Sequence, residues 1–233
     1  MTEREYLSTY NPGAFPPVAV TVDIVVLAVR DAALHVLLAR RGEHPFAGKL
    51  ALPGVFVGAD EELHDAARRA VRAKAGVDAA VRQFHAYGGI GRDPRMRVIS
   101  VAYMAVVTAD QLAPVLDDDH QLLRLDGSVA RAPSGRKQPL PFDHAAIIAG
   151  ALDALRADLD QSPFSLGLLP PEFSLRELQE MHEAVRGQAL NKPAFRKRLL
   201  ESGRLEPTGR RETDKGFRPA ELYRVRENQH ADR

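Results

Sequence analysis

The segment from residue 53 to residue 77 does most to limit the folds open to this chain. It reads PGVFVGADEELHDAARRAVRAKAGV, a Pro-Gly turn followed by a polar stretch, a helical pattern and a closing glycine. The spacing predicts a helix from about residue 61 to residue 74, with Gly76 just past its end as the cap. Positions 70, 73 and 74 are expected on one face of that helix because they are three and four residues apart.

The spacing of this segment resembles the Nudix box, the signature of hydrolases that cut nucleoside diphosphates linked to another group. Glu61 fills one of the four Glu slots of that box, whereas Ala70, Ala73 and Lys74 fill the other three, and Val55 stands in the Gly slot. Three carboxylates at these positions would hold Mg²⁺ and, through it, substrate phosphates. The sequence therefore predicts a domain that binds a nucleotide without cleaving it, with no catalytic residues, no metal site and no cofactor.

The net charge of +1 conceals two unlike parts of the chain. Residues 186 to 226 contain twelve Lys or Arg residues and five Asp or Glu residues, which leaves the remainder at about −6. A basic C-terminal block on an otherwise acidic protein is typical of a nucleic-acid-binding module.

Composition indicates an ordinary globular protein of a reducing compartment. The chain has no Cys and is 45% hydrophobic, and its longest apolar run, residues 18 to 29, is interrupted by Asp23. That run is too short to span a bilayer, and the N-terminus lacks the apolar core of a signal peptide. We therefore expect a cytoplasmic protein that does not contact membranes.

The order of predicted elements in the first part of the chain favours an α/β fold. Apolar and β-branched runs predict strands over residues 18–29, 33–39, 81–87 and 97–107, with a turn at Arg30-Asp31 between the first two. Asp143 is expected to cap a helix that runs to about Leu159. Strands around the box helix, closed by a second helix, suit an α/β/α sandwich. We place the domain boundary in the Pro-rich segment 161–171, with residues 1–160 as the first domain and residues 161–233 as the second.

The second domain has the pattern of a winged helix-turn-helix. Ser174 and Glu177 form a capping box at the start of one helix, which Gly187 ends. Asn191 caps a second helix over residues 192–202, in which Phe195, Leu199 and Leu200 are expected to face inward. Two strands joined by a basic loop then form the wing.

A basic helix of this kind fits the major groove, and a basic wing reaches the phosphate backbone. The candidate DNA-binding residues in the helix are Lys192, Arg196, Lys197 and Arg198. In the wing they are Arg210, Arg211, Lys215 and Arg218.

The two halves together resemble the Nudix-related transcriptional regulators of the NrtR family. The resemblance extends from about residue 18 to residue 225 and is most specific in residues 168–203 and in RPAELYR at residues 218–224. It implies a Nudix-like α/β/α sandwich followed by a winged helix-turn-helix. It also implies a homodimeric repressor of NAD biosynthesis or related genes on a palindromic operator, with ADP-ribose or a related nucleotide as the effector. The candidate effector contacts are Arg40, Arg41, Phe46, Arg69, Arg92 and Arg97.

Two other interpretations stay open at this point. The first is a Nudix hydrolase of ADP-ribose-type nucleoside diphosphates with displaced metal ligands, drawn from Glu61, Glu62, Asp65 and Asp117. The second is an RNA- or protein-binding scaffold without gene control, which a basic wing alone does not exclude.

Overall fold

The structure is a computed structural model that describes residues 1–212 and 219–226. The helices are α1 (Glu3–Thr9), α2 (Leu63–Ala75), α3 (Ala109–Leu112), α4 (His144–Asp158), α5 (Leu175–Arg186) and α6 (Lys192–Glu201). The strands are β1 (Ala19–Arg30), β2 (Ala33–Arg40), β3 (Leu50–Ala51), β4 (Gly54–Phe56), β5 (Val81–Tyr87), β6 (Val98–Val106), β7 (His120–Asp126), β8 (Val129–Ala130), β9 (Phe173–Ser174), β10 (Leu205–Arg211) and β11 (Glu221–Val225). Short 3₁₀ turns cover Pro12–Ala14, Ala113–Val115 and Pro163–Leu168.

Strands β1 to β8 form one mixed sheet in the order β5-β6-β1-β2-β7-β8, with β3 added to β2 and β4 added to β1. The central pair β1 and β6 is parallel, whereas the other pairings in this sheet are antiparallel. The central strand β1 is buried along most of its length, as expected for a strand covered on both faces.

Helices cover both faces of this sheet. On one face, the alanine-rich side of α2 packs against alternate residues of β1, including Val22, Ile24 and Val26. On the other face, Ile147, Ile148, Leu152 and Leu155 of α4 pack against the remaining residues of β1 and β6. The predicted α/β/α sandwich is thereby confirmed, and the small side chains of α2 allow that helix to approach the sheet closely.

Local predictions in this part hold with small shifts at the boundaries. The box helix begins two residues later than expected, and Gly76 is its left-handed cap with φ of 64°. A Cβ at Gly76 would also collide with the side chain of Val115, so a side chain is excluded there on two grounds. The turn between β1 and β2 lies at Asp31 and Ala32, not at Arg30-Asp31, because β1 extends through Arg30.

The predicted side-chain cap at Asp143 is wrong. Asp143 occupies the N-cap position of α4, but its carboxylate makes no hydrogen bond to the backbone of that helix. The carboxylate instead accepts two hydrogen bonds from Arg92. A hydrogen bond between a carboxylate and a guanidinium is stronger than one between a carboxylate and a neutral backbone amide. The Asp143 carboxylate therefore binds Arg92 instead of capping α4.

The second part of the chain is the predicted winged helix-turn-helix. The reciprocal capping box of Ser174 and Glu177 is confirmed, Gly187 ends α5 in the left-handed conformation, and the Asn191 side chain caps α6. The wing strands pair as β10-β11, and β11 also pairs with the short strand β9, which the sequence pattern did not indicate.

One residue of the predicted inward face of α6 is exposed. Phe195 is buried and Leu199 packs against the core, but Leu200 is 53% exposed. Phe195 and Leu199 are four positions apart and therefore share one face of the helix. Leu200 follows Leu199 by one position, so its side chain is rotated by about 100° away from that face.

A continuous apolar core joins the two parts. It runs from the sheet through α4 to Leu168 and Leu169 and on to Leu178, Met181 and Val185 of α5. The turn at Pro163–Leu168 packs against β1 and β6, so the division at residue 160/161 stays a prediction. Within the described residues, none of the helices combines the length and the apolar character needed to cross a membrane.

Candidate functional site

A cleft opens at the edge of the sheet where β1, β4 and the start of α4 meet the loop between β5 and β6. Its volume is about 150 Å³. The described residues that line it are Thr21, Asp23, Arg41, Leu52, Gly54, Val55, Phe56, Arg92, Asp93, Arg95, Phe142 and His144. Two of the six predicted effector residues, Arg41 and Arg92, therefore line the cleft.

Arg92 forms the floor of the cleft together with two carboxylates. Its guanidinium donates to Asp143 at 2.6 and 2.9 Å and to Asp23 at 3.1 Å, and its side chain is only 6% exposed. Burial opposes the charge of Arg92, but the hydrogen bond to Asp143 and the negative charge of Asp23 raise its pKa overall. The floor thus consists of a buried guanidinium held between two carboxylates.

Asp23 connects this network to β6 and α4. It accepts a hydrogen bond of 2.5 Å from the Ser100 hydroxyl and lies 3.8 Å from His144 Nε2. The backbone amide of Leu52 donates to His144 Nδ1, so the ring is neutral and carries its proton on Nε2, facing Asp23. Burial lowers the pKa of His144, consistent with a neutral ring. Gly54 is required beside Asp23, since a Cβ there would overlap its carboxylate.

The mouth of the cleft is cationic and aromatic. The Arg41 guanidinium lies 4.9 Å from the centre of the Phe142 ring, and Phe142 meets the ring of Phe46 edge-on at 4.9 Å. Burial, followed by the positive charge of Arg95, lowers the pKa of Arg41. Arg95 is already paired with the Asp93 carboxylate through side-chain hydrogen bonds of 2.8 and 3.0 Å. Arg41 donates to the Pro45 carbonyl and has no carboxylate partner among the described residues, so its charge is available to an anion in the cleft. Phe46 thus lies next to the cleft wall, although it does not line the cavity.

The other three predicted effector residues support loops outside the cleft lining. Arg40 donates to the carbonyl groups of Gly48 and Asp118 and to the carboxylate of Asp119. Arg97 donates to two carbonyl groups of the β5–β6 loop at 2.6 and 3.0 Å. Arg69 pairs with Glu61 through two hydrogen bonds of 2.7 Å. Their role in effector binding stays a prediction.

The box positions do not suit a divalent metal ion. Ala70 is fully buried against the sheet, whereas Ala73 and Lys74 face solvent, so the three slots do not present one common surface. Hydrogen bonds from Arg69 and from the Gly58 amide occupy Glu61 and lower its pKa to about 2. Among the described residues, His, Asp and Glu side chains nowhere gather in a group of three that could hold a metal.

The predicted DNA-binding residues of α6 are divided between two sides of the helix. Lys192 and Lys197 are exposed, and Arg196 is half-buried. Arg198 is turned towards the first part of the chain, where its guanidinium lies 3.8 Å from Asp160. Residues two positions apart on a helix point in nearly opposite directions, so Arg196 and Arg198 are not on the same side of α6.

The predicted wing residues are only partly within the described residues. Arg210 and Arg211 are exposed on β10, and Arg210 donates to Glu172 at 3.2 Å. Lys215 and Arg218 lie outside the described residues.

Most of the cleft floor and two residues at its mouth, Arg95 and Phe142, were not among the predicted site residues. Asp23, Asp143 and His144 come from segments that the pattern assigned to a buried strand and to a helix start. The only local signal was Asp23 itself, a charged residue inside an otherwise apolar run. Arg95 sits in the same loop as Arg92, but nothing in its spacing distinguished it from its neighbours.

Comparison with known proteins identifies both parts of the chain. Residues 18–138 match the model of the NUDIX domain, and residues 165–225 match the NrtR DNA-binding winged helix domain. A relative described as the "ADPR responsive transcriptional repressor NtrR" of Acinetobacter baylyi is 32% identical over 228 residues, 96% of this chain and 88% of the relative.

Solved structures agree with this assignment. Shewanella oneidensis NrtR in complex with a 27mer DNA superposes with a TM-score of 0.75 at 31% identity, covering 89% of this chain and 93% of that chain. The NUDIX domain of the same Shewanella protein in complex with ADP ribose has a TM-score of 0.56 at 34% identity, covering 66% of this chain and 99% of that chain. With a NUDIX domain, a winged helix and this identity along nearly its whole length, the chain belongs to the NrtR family.

Proposed function

We propose that this protein is a cytoplasmic transcriptional repressor that binds operator DNA through α6 and the wing and is released by ADP-ribose or a related nucleotide bound in the NUDIX cleft. The observation that carries the proposal is a NUDIX cleft with guanidinium groups at its mouth, in a domain whose metal positions hold Ala70, Ala73 and Lys74. Such a site binds an anion without the metal that hydrolysis requires.

The chain is accordingly proposed to act as a sensor and not as an enzyme, without a resident cofactor. A sensor that hydrolysed its effector would remove its own signal. As in the family it belongs to, we propose a homodimer on a palindromic operator near genes of NAD biosynthesis or related metabolism. In such a dimer, two copies of α6 enter successive major grooves about one helical turn or a small multiple of it apart.

The dimensions of the cleft suggest how the nucleotide lies. Its volume of about 150 Å³ is below the roughly 300–1,000 Å³ usual for a site that encloses a whole small ligand. We therefore propose that one end of the effector enters the floor, where the carboxylate of Asp23 accepts hydrogen bonds from sugar hydroxyls. The pyrophosphate then lies between Arg41 and Arg95, and the adenine stacks near Phe142 and Phe46.

DNA binding is tested by fluorescence anisotropy with promoter DNA from NAD biosynthesis genes over a series of salt concentrations. Lys197→Ala should weaken binding and reduce the slope of log K against log salt by about one unit, because one phosphate contact is lost. Lys74→Ala is the matched control, since it removes the same charge from the exposed surface of α2. Equal affinity of the wild-type protein for random RNA and promoter DNA would favour the scaffold interpretation instead.

Effector binding is tested by calorimetry with ADP-ribose and by its effect on the DNA complex. Arg41→Ala should reduce ADP-ribose affinity about tenfold or more, as expected for the loss of a charge-assisted contact, while DNA affinity without ligand is unchanged. Incubation of the wild-type protein with ADP-ribose and Mg²⁺ or Mn²⁺ should leave the nucleotide intact. Sustained release of AMP would contradict the sensor proposal and support the hydrolase interpretation.

A further inference from the structure

A second and larger cavity lies where the winged helix meets the end of α4. Its volume is about 1050 Å³, against about 150 Å³ for the NUDIX cleft. The described residues that line it include Leu166, Leu178, His182, Arg198, Leu199 and Arg204. A concave space of this size is typical of sites for small organic molecules.

The lining has an apolar interior and a cationic rim. Leucine side chains from α5, α6 and β10 form much of the wall, together with the segment that follows α4. Three arginines, Arg198, Arg204 and Arg226, stand among the described lining residues, against the single carboxylate of Asp160. That carboxylate is already held by Arg186 at 2.6 Å, so the positive charge of the rim is in excess.

One buried polar atom in this wall has no partner within the described residues. His182 is 4% exposed and lines the cavity, and its Nδ1 makes no hydrogen bond. The nearest acidic oxygen, on Asp160, is 3.5 Å away, and the ring packs edge-on against Phe195 at 4.9 Å. That atom is enclosed on the side of Asp160, whereas the other ring nitrogen, Nε2, is not enclosed and also makes no hydrogen bond within the described residues. An acceptor oxygen brought by a ligand would therefore accept a hydrogen bond from His182 through its Nε2–H tautomer.

We propose that this cavity is a second ligand-binding site, separate from the NUDIX cleft, for an organic anion with an apolar body and a carboxylate or phosphate head. The apolar body lies against Leu166, Leu178 and Leu199. The head accepts hydrogen bonds from His182 and from an arginine of the rim. Because α6 forms one wall and the segment after α4 forms another, the bound molecule contacts both parts of the chain at once.

The test uses fluorescence titration of the full chain with 8-anilinonaphthalene-1-sulfonate, a probe with an apolar body and one negative charge. Octanoate, octyl phosphate and octanol are then added as competitors. We expect saturable binding that octanoate or octyl phosphate displaces and octanol does not. The more effective of the two anions identifies the head group. Displacement by octanol with the same strength would show an apolar pocket without anion selectivity and would overturn the proposal.

Substitutions of residues that line the cavity test whether the probe binds there. His182→Leu keeps the side-chain size and should reduce the affinity for the probe about tenfold, as expected for the loss of a hydrogen bond to a charged group. Leu166→Trp should narrow the cavity at its apolar wall and weaken binding of the probe, which tests the site independently of His182. His64→Leu, on the exposed surface of α2, is the matched control and should bind as the wild type does. Unchanged titrations in both cavity variants would refute the assignment.

The NUDIX cleft provides a separate check. Saturating ADP-ribose should leave the probe bound, and both cavity variants should keep the wild-type affinity for ADP-ribose. Displacement of the probe by ADP-ribose would place it in the NUDIX cleft and overturn the proposal. Failure of ADP-ribose to bind at all would contradict the proposed function but would leave the cavity titrations interpretable.

Discussion

Replacing Arg92 by Met should destabilise the NUDIX domain more than any surface substitution. Arg92 is the cation shared by Asp23 and Asp143, and its side chain is 6% exposed. Removing one partner of a buried ion pair costs about 3–5 kcal/mol, because the remaining charge stays buried without compensation. Asp143 is 25% exposed and can recover hydration, which favours the lower end of that range, about 3 kcal/mol.

The measurement is urea unfolding at pH 7, followed by circular dichroism, with thermal unfolding in parallel. For a chain of this length, a loss of about 3 kcal/mol corresponds to a decrease in melting temperature of roughly 6–12 °C. Arg97→Met is the matched control in the same loop. Arg97 is exposed and donates only to backbone carbonyl groups, so its loss should cost no more than about 1 kcal/mol.

A double-mutant cycle tests the reasoning itself. If the cost arises from the uncompensated charge of Asp23, then Asp23→Asn in the Arg92→Met background should restore roughly half of the loss. The same change in the wild-type background should destabilise, because Arg92 then loses one of its two anions. An Arg92→Met variant as stable as Arg97→Met, or a further loss on adding Asp23→Asn, would refute the account.

Three further outcomes follow from the described contacts. Ser174→Ala should lower the free energy of unfolding by about 1 kcal/mol in urea titrations, because it removes the buried capping box of α5. The pKa of His182 is lowered to about 4, chiefly by burial, so between pH 6.5 and pH 4 the unfolded state takes up a proton before the folded state does. Wild-type stability should therefore fall as the pH drops through that window, by up to about 3 kcal/mol, and His182→Leu should lose this part of the pH dependence. Ala70→Glu should destabilise by about 3 kcal/mol in thermal unfolding while Ala73→Glu changes little, since only Ala70 is buried.

Much of the local structure is determined by short stretches of sequence. The end of α2 at Gly76, the capping box of Ser174 and Glu177 and the cap at Asn191 depend on residues within four positions of one another. Such interactions operate in the same way wherever the helix is placed. The sequence also determined the loss of acids from the box and the basic character of α6, because composition at a given spacing is readable without coordinates.

The binding surfaces were decided by the tertiary structure. The cleft floor joins Arg92 to Asp143 and to Asp23, which are 51 and 69 positions away along the chain. No periodicity relates residues at such distances, and only the pairing of β1 with β6 and the packing of α4 bring them together. The same holds for α6, where the packing of Phe195 turned Arg198 towards Asp160. The cavity around His182 likewise exists only because the winged helix docks on the end of α4, a contact made by apolar surfaces that carry no directional signal in the sequence.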